Sequence, residues 1–526
     1  MSDNLSRHPR RDFLSQCAAI PLVAHLATAA EPTARVEGAR TANPTVTVAP
    51  AGADAAERLE SLLQLLDPQL RYRHTPIANA ENAWPMLKRA RELYVEQPDD
   101  LEFEEGIHKP FDGPNAMDAG IRQRIVDWVK QNEECLRQVD AGLERPSLEL
   151  PRATAAPRLS LVLDEIHIYR NIARLKTAAS RIHQSDHKTG AAIRDAESIL
   201  TLGSMLLRAE CLIVDYLVAI AILGMGVEAM AQTATAAGVT DDQAKAAIAR
   251  LSSAKASYDQ FKQSLRVELC RWFLPYLAEF PDKPDPRPLA AKFFAPDSFD
   301  SKPTAAQVQA SQEATERLAT VLEGHPNPLD KKATTLLCSQ IHLRCFASLG
   351  NPWPKRDRSM CAELEKELAD WPEGLEQDIW LLAGFGPDFD RRTPTREELK
   401  KSAEALRGID NVLGKYMVWT SYSSTMNSPV TEFSQAPLEA ARLRIALTHC
   451  ERSAGRLPST LDALVERGYL PQVPCDPFDG DRFKYSPERR VIWSVGQKGK
   501  NDGVLPENSE SDPNGASALT WQIFKT

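Results

Sequence analysis

Apolar residues recur at three- and four-residue steps over most of this chain. The runs predict helices over residues 54–66, 80–96, 116–143, 158–186, 190–208, 209–235, 240–278, 304–323, 330–348, 356–370 and 395–424. Pro and Gly punctuate them, most densely at 280–303. There Pro281, Pro284, Pro286, Pro288, Pro296 and Pro303 are expected to break any regular element and to mark an internal boundary. The most apolar run, Cys211 to Met230, leaves only Tyr216 to Val227 uncharged between Asp215 and Glu228. A membrane span needs about twenty such residues, so this run reads as the central buried helix of a helical domain. Gly224 and Gly226 predict close packing of that helix on a neighbour. The last helix before residue 430 has a seam of Leu399, Leu406, Ile409, Leu413, Tyr416 and Thr420. It starts at a capping box formed by Thr395 and Glu398.

Strand-like alternation is absent until residue 483. Before it, Gly455 ends an amphipathic run in the left-handed conformation, and Pro458-Ser459-Thr460-Leu461-Asp462 restarts a short helix, with Asp462 reaching back to the cap. Leu461, Leu464 and Val465 form its apolar face, and Gly468 stops it. Pro471, Pro474 and Pro477 exclude helix next, and Asp479-Gly480 is a turn. Phe483-Lys484-Tyr485 and Val491 to Val495 read as a hairpin around Pro487 to Arg490. Alternation puts Phe483, Tyr485, Val491, Trp493 and Val495 on one buried face, with Ile492 opposite.

Residues 436–503 resemble the C-terminal half of the major pseudopilin of the bacterial type II secretion system. Tyr469-Leu470, Asp476-Pro477 and Ser494-Val495-Gly496 match that family's pattern. Leu457 stands where the family has Tyr, and Phe478 where Trp is common. The resemblance implies an α+β module: a helix, a short helix, an Asp-Pro turn and a small sheet. It also implies a calcium-binding loop at 494–512, where Asp502 and Asp512 are the candidate ligands and Lys498 replaces a usual Asp. The pseudopilins' processed N-terminal helix, with its Gly-Phe-Thr-Leu-Ile-Glu-type start, has no counterpart here, so the usual assembly into a pseudopilus is not expected. More broadly, the chain is similar to large, mostly helical bacterial proteins of the planctomycete type that carry this module at their C-terminus. The expected fold is therefore a mostly α multi-helix array over 54–430, followed by a small α+β pseudopilin-like domain over 432–526 that folds separately.

The N-terminus adds a location. Pro9-Arg10-Arg11-Asp12-Phe13-Leu14 fits a twin-arginine signal. A mildly apolar run from Cys17 follows and ends in the small residues Ala27-Thr28-Ala29-Ala30. Residues 1–30 thus read as a signal peptide, 31–53 as a flexible linker, and the mature protein as periplasmic or otherwise extracytoplasmic, with other envelope proteins as partners. The net charge of −9 without a basic stripe argues against nucleic acid as a partner, and no transmembrane span is expected in the mature chain. Eight of the nine cysteines lie beyond residue 30, none in a Cys-x-x-Cys pair, and most in apolar helical contexts that make them small buried hydrophobes.

Few constellations carry chemistry. His183 and His187 lie one helical turn apart, a spacing that suits a shared metal. Gln184 occupies the place of the zincin Glu, and the polar setting reads as a solvated helix end. Glu105…His108 and Asp164…His167 only faintly resemble the Glu-x-x-His pairs of di-iron bundles. Tyr416 to Ser428, rich in hydroxyls and aromatics, is either a pocket wall or the end of a packed helix. No catalytic or cofactor-binding residue is assigned. The expected function is an exported, non-catalytic scaffold or interaction protein. The rival is an exported metal- or cofactor-binding helical enzyme.

Overall fold

A computed structural model describes residues 53–98, 119–150, 159–280, 285–294, 305–372, 393–423, 429–497 and 519–523. Residues 1–52, expected as signal peptide and linker, Glu105 and His108, and Asp502 and Asp512 with their loop lie outside these residues, as do the side chains of Asp164 and His167.

The chain is mostly helical. In order it forms α1 (Ala53–Leu65), α2 (Trp84–Leu93), α3 (Ala119–Gln131), α4 (Glu133–Leu143), α5 (Leu159–Ser185), α6 (Thr189–Arg208), α7 (Ile213–Ala234), α8 (Asp241–Ser253) and α9 (Tyr258–Val267). A π-helical turn (Glu268–Phe273) leads into α10 (Leu274–Ala278), followed by α11 (Pro286–Phe293), α12 (Ala305–Leu322), α13 (Lys331–Ser348), α14 (Ser359–Glu367), α15 (Arg396–Leu406) and α16 (Val412–Val418). A second π-helical turn (Trp419–Ser423) precedes α17 (Val430–Ala454) and α18 (Asp462–Glu466). A three-stranded sheet closes the chain: β1 (Lys484–Ser486), β2 (Val491–Ser494) and β3 (Leu519–Gln522).

The apolar segment foreseen as a central helix is α7. By length and composition it is the one described helix fit to cross a membrane, yet most of it is buried inside the protein. It packs on α5, α6, α8, α9 and α17. Gly226 sits close on α6: a Cβ there would lie 2.9 Å from the Leu200 backbone nitrogen. Only glycine lets the two backbones come so near.

Three features differ from the expected elements. The proline-rich stretch holds a helix, α11, because Pro286 and Pro288 fall in its first turn, where the missing N–H groups have no intrahelical partner anyway. The seam helix starts at the Thr395/Glu398 box as expected, with Glu398 N–H on Thr395 Oγ1 at 3.3 Å, but it breaks before α16. Asn411 sits there in the left-handed region at φ 56°, its side chain bonded to Thr334 and to the Asp330 N–H. Leu399, Leu406, Leu413 and Tyr416 are buried all the same. The third difference is at α18, whose cap forms without Asp462. That carboxylate instead takes the Arg482 guanidinium at 2.8 Å.

Gly455 ends α17 at φ 72° and Gly468 turns the chain after α18 at φ 71°, both as read from sequence. The hairpin forms, and Phe483, Val491 and Val495 are buried as expected, but its register does not put Tyr485 on the face of Val491 and Trp493. Tyr485 pairs with Ile492, and Lys484 with Trp493. Directly paired residues of antiparallel strands share a face, so Tyr485 sits with Ile492 and with Trp521 of β3. Ile492 is fully buried, while Trp493 is only half-buried. The reason is tertiary: α17 packs on β2, so the side chain sealed beneath the sheet is Ile492. The third strand, β3, was not foreseen, although Leu519, Trp521 and Ile523 alternate with polar neighbours.

α17 is buried nearly from end to end, between α7 and α8 on one side and the sheet on the other. One hydrophobic core runs unbroken from Leu62 to Ile523. The boundary expected near residue 430 falls at the start of α17, a helix that packs on both regions.

Candidate functional site

Charged residues on α17 build the seam between the C-terminal segment and the helical body. Near its start, Glu432 is fully buried, takes the Arg356 guanidinium and accepts the Tyr258 hydroxyl at 2.9 Å. Arg356 lies over the Tyr258 and Trp353 rings, at 5.1 and 5.4 Å from their centroids. Stacking on both rings suits the planar guanidinium better than the lysine ammonium. Farther along, Arg444 donates to Glu228 of α7 at 2.9 Å, and Glu439 pairs with Arg442. His449, 1% exposed, bridges Asp241 Oδ1 at 3.0 Å and the Ala234 carbonyl at 2.9 Å. Tyr469 donates to the other oxygen of Asp241 at 3.1 Å. At the end of α17, Glu451 takes both Nη groups of Arg490 at 2.6 and 2.8 Å, a bidentate pair that ties the hairpin turn to the helix.

Asp476 of the Asp-Pro turn is buried too. Its carboxylate accepts the Phe478 and Val495 N–H groups and the Ser494 hydroxyl at 2.8–3.0 Å. Burial raises its pKa, and these hydrogen bonds oppose the rise. The two motifs quoted for the pseudopilin resemblance, Asp476-Pro477 and Ser494-Val495-Gly496, are thus joined through one carboxylate. Trp353 N–H donates to the Phe478 carbonyl at 3.2 Å, so the turn also holds the loop of the helical body that carries Arg356.

A second polar cluster lies where the two π turns meet. Pro275 has no N–H to continue an α-helix. The turn before it widens so that Leu274 N–H reaches back five residues to the Leu269 carbonyl. Tyr422 of the second π turn packs on Phe273 (5.4 Å between centroids) and edge-on against His342 of α13 (4.6 Å). His342 Nδ1–H donates to the Cys338 carbonyl at 2.7 Å, and desolvation pulls the imidazole down to about 4, so the ring is neutral. Its Nε2, an acceptor, and the Tyr422 hydroxyl, a donor, are both buried without a hydrogen-bond partner. Such orphans are uncommon in folded proteins and mark either strain or a binding point. Glu268 opens the first π turn, partly accessible and pushed up to about 7 by desolvation against one hydrogen bond from Ile213 N–H at 3.2 Å. Of the Tyr416–Ser428 segment singled out from sequence, Tyr422 belongs to this cluster, and residues 424–428 lie outside the described residues. Glu268, Cys338 and His342 went unremarked because nothing in their local spacing sets them apart.

A third cluster places His74 between Glu149 Oε1 (2.7 Å) and Glu210 Oε2 (2.6 Å), with Tyr72 donating to Glu210. Its members are spread over more than a hundred residues, which hid it from any motif search.

Of the sequence candidates for metal, Asp502 and Asp512 lie outside the described residues. His183 Nδ1 pairs with Asp195 at 2.7 Å, whereas His187 lies past the helix end, exposed, at φ 57°. Among the described residues no group of three or more His, Cys, Asp or Glu is arranged to hold a metal ion. All eight described cysteines are free thiols, and every one but Cys475 is buried. No protein-family model matches the chain, and comparison with curated proteins and with solved structures finds no match either.

Proposed function

We propose that the protein is an exported, non-catalytic scaffold or interaction protein of the bacterial envelope, in which a pseudopilin-like C-terminal segment is fixed to a helical body as a docking unit. The observation that carries this reading is the use of charge along α17. Glu432, Arg444 and His449 are spent on partners across the seam, and Glu451 on the hairpin turn, rather than directed into an open cleft. Such pairing serves a rigid relative placement of the two regions. The joined Asp476 and Ser494 motifs support the pseudopilin likeness, and the twin-arginine pattern supports export.

The second reading, an exported metal- or cofactor-binding helical enzyme, draws on the π turns and on the orphaned Tyr422 hydroxyl and His342 Nε2. Elemental analysis of the purified mature protein separates the two. The scaffold reading expects metal well below one equivalent per chain; stoichiometric iron or zinc overturns it in favour of the second.

A further inference from the structure

The imidazole of His449 stands where three parts of the chain meet: the end of α7, the start of α8 and the segment after α18. It is 1% exposed, and both of its ring nitrogens face acceptors. Nε2 lies 2.9 Å from the Ala234 carbonyl, and Nδ1 lies 3.0 Å from Asp241 Oδ1. A carbonyl can only accept, and so can an ionised carboxylate, so each ring nitrogen has to carry hydrogen. The hydrogen bond from His449 leads the causes that hold the Asp241 carboxyl below its usual range, so this partner stays ionised. His449 is therefore seated as the imidazolium. A neutral ring of either tautomer would turn one lone pair onto a carbonyl or a carboxylate oxygen.

The surroundings suit that charge. Ala234 is the last residue of α7, whose terminal carbonyls carry the negative end of the helix dipole. Arg452, also on α17, donates to the Thr235 carbonyl and, at 3.1 Å, to the Ala236 carbonyl, so two cations close the end of α7. Of the other charged side chains nearby along α17, Arg444 is paired with Glu228 and Glu451 with Arg490. On α8, Lys245 lies over the Tyr469 ring at 5.5 Å. The Tyr469 hydroxyl donates to Asp241 Oδ2 at 3.1 Å, and burial raises its phenol, which keeps its proton through neutral pH. The Asp241 side chain is 52% exposed and can turn to water, whereas the His449 ring cannot.

We infer that His449, Asp241 and Tyr469 form a pH-sensitive clamp: the charged ring holds the Asp241 carboxylate in place for the Tyr469 hydroxyl, and loss of the ring proton releases Asp241 to solvent and loosens the C-terminal segment from α8. The clamp belongs to the seam and does not depend on what docks there. A histidine held charged by partners in the folded chain stabilises it fully below about pH 6.5, the ordinary imidazole value, and less as the pH rises and the folded ring loses its proton. Asp241 sets the acid limit: its contribution is present above the ordinary 3.8 and is lost as the pH falls through its lowered value.

The test is urea unfolding of the mature chain between pH 6 and pH 9, beside the variant Asp241→Asn. Asn can accept from an N–H or donate to a lone pair, so it suits the charged and the neutral ring alike. Relative to this variant, the folding constant of the wild type is expected to fall about tenfold over that range. The comparison cancels Glu268 and the other histidines, which both chains share. Hydrogen exchange read by mass spectrometry and corrected for the intrinsic rate is expected to show the backbone around Tyr469 losing protection as the pH rises in the wild type, but not in the variant. Equal pH slopes in the two chains, or constant protection around Tyr469 in the wild type, each overturns the inference.

Discussion

Ile492 and Trp493 show how much a single residue's environment depends on distant chain. Local alternation treats them as interchangeable faces of one strand, and the larger side chain is the natural choice for the core. The helix beneath decides otherwise: Ile492 is sealed and Trp493 is half-buried. Truncating a buried Ile to Ala removes contacts and leaves a cavity, at a cost of about 2–5 kcal/mol. Ile492→Ala is therefore expected to destabilise the mature protein more than Trp493→Ala. Chemical denaturation of the two variants checks this, and the reverse order would put the strand register off by one. Cues that act within four residues were legible at this scale: the Thr395/Glu398 box and the left-handed Gly455 both form. Asp462 was misread because Arg482, twenty residues away, offers it a full charge, whereas the cap offers only a backbone N–H.

Among elements, the helices were the legible part, since a buried stripe imposes its own period. The breaks were less so. Asn411 interrupts the seam helix through contacts to Thr334 and Asp330, some eighty residues earlier in the chain, and no local pattern announces them. The first π turn could have been suspected from Pro275; what gathers around it could not. That turn has a measurable consequence. Glu268 is pushed up to about 7 from an ordinary 4.5 by desolvation. The fold thus favours its protonated form, so its contribution to stability is complete below pH 4.5 and is lost as the pH rises through about 7. Glu268→Gln keeps an acceptor for the Ile213 N–H without the charge. Urea unfolding should show the wild type losing about 2 kcal/mol relative to this variant between pH 5 and pH 8. Identical pH slopes would mean that the carboxylate is solvated in the crevice.

For the whole molecule, composition and pattern gave the fold class, while the relation between the regions came only from three dimensions. Pairs such as Glu228–Arg444 and Tyr258–Glu432 join residues more than 170 apart in sequence. The candidate site was the least legible part, because the orphaned Tyr422 and His342 become noticeable only when their surroundings are seen. The export proposed for the chain rests on Arg10 and Arg11. Replacing both with Lys should trap unprocessed precursor in the cytoplasm, as read by fractionation and immunoblot; unchanged processing would remove the twin-arginine assignment.

α17 packs on the helical body and on the sheet alike, so the C-terminal segment is expected to need the helical body for its fixed packing. Without α7 and α8, a fragment of residues 432–526 leaves buried Arg444 and His449 without their partners Glu228, Asp241 and Ala234. The most direct measurement is the amide NMR spectrum of that fragment alone. The account predicts narrow dispersion and broad lines from a chain without fixed packing; a well-dispersed spectrum would show that the segment folds independently and contradict it.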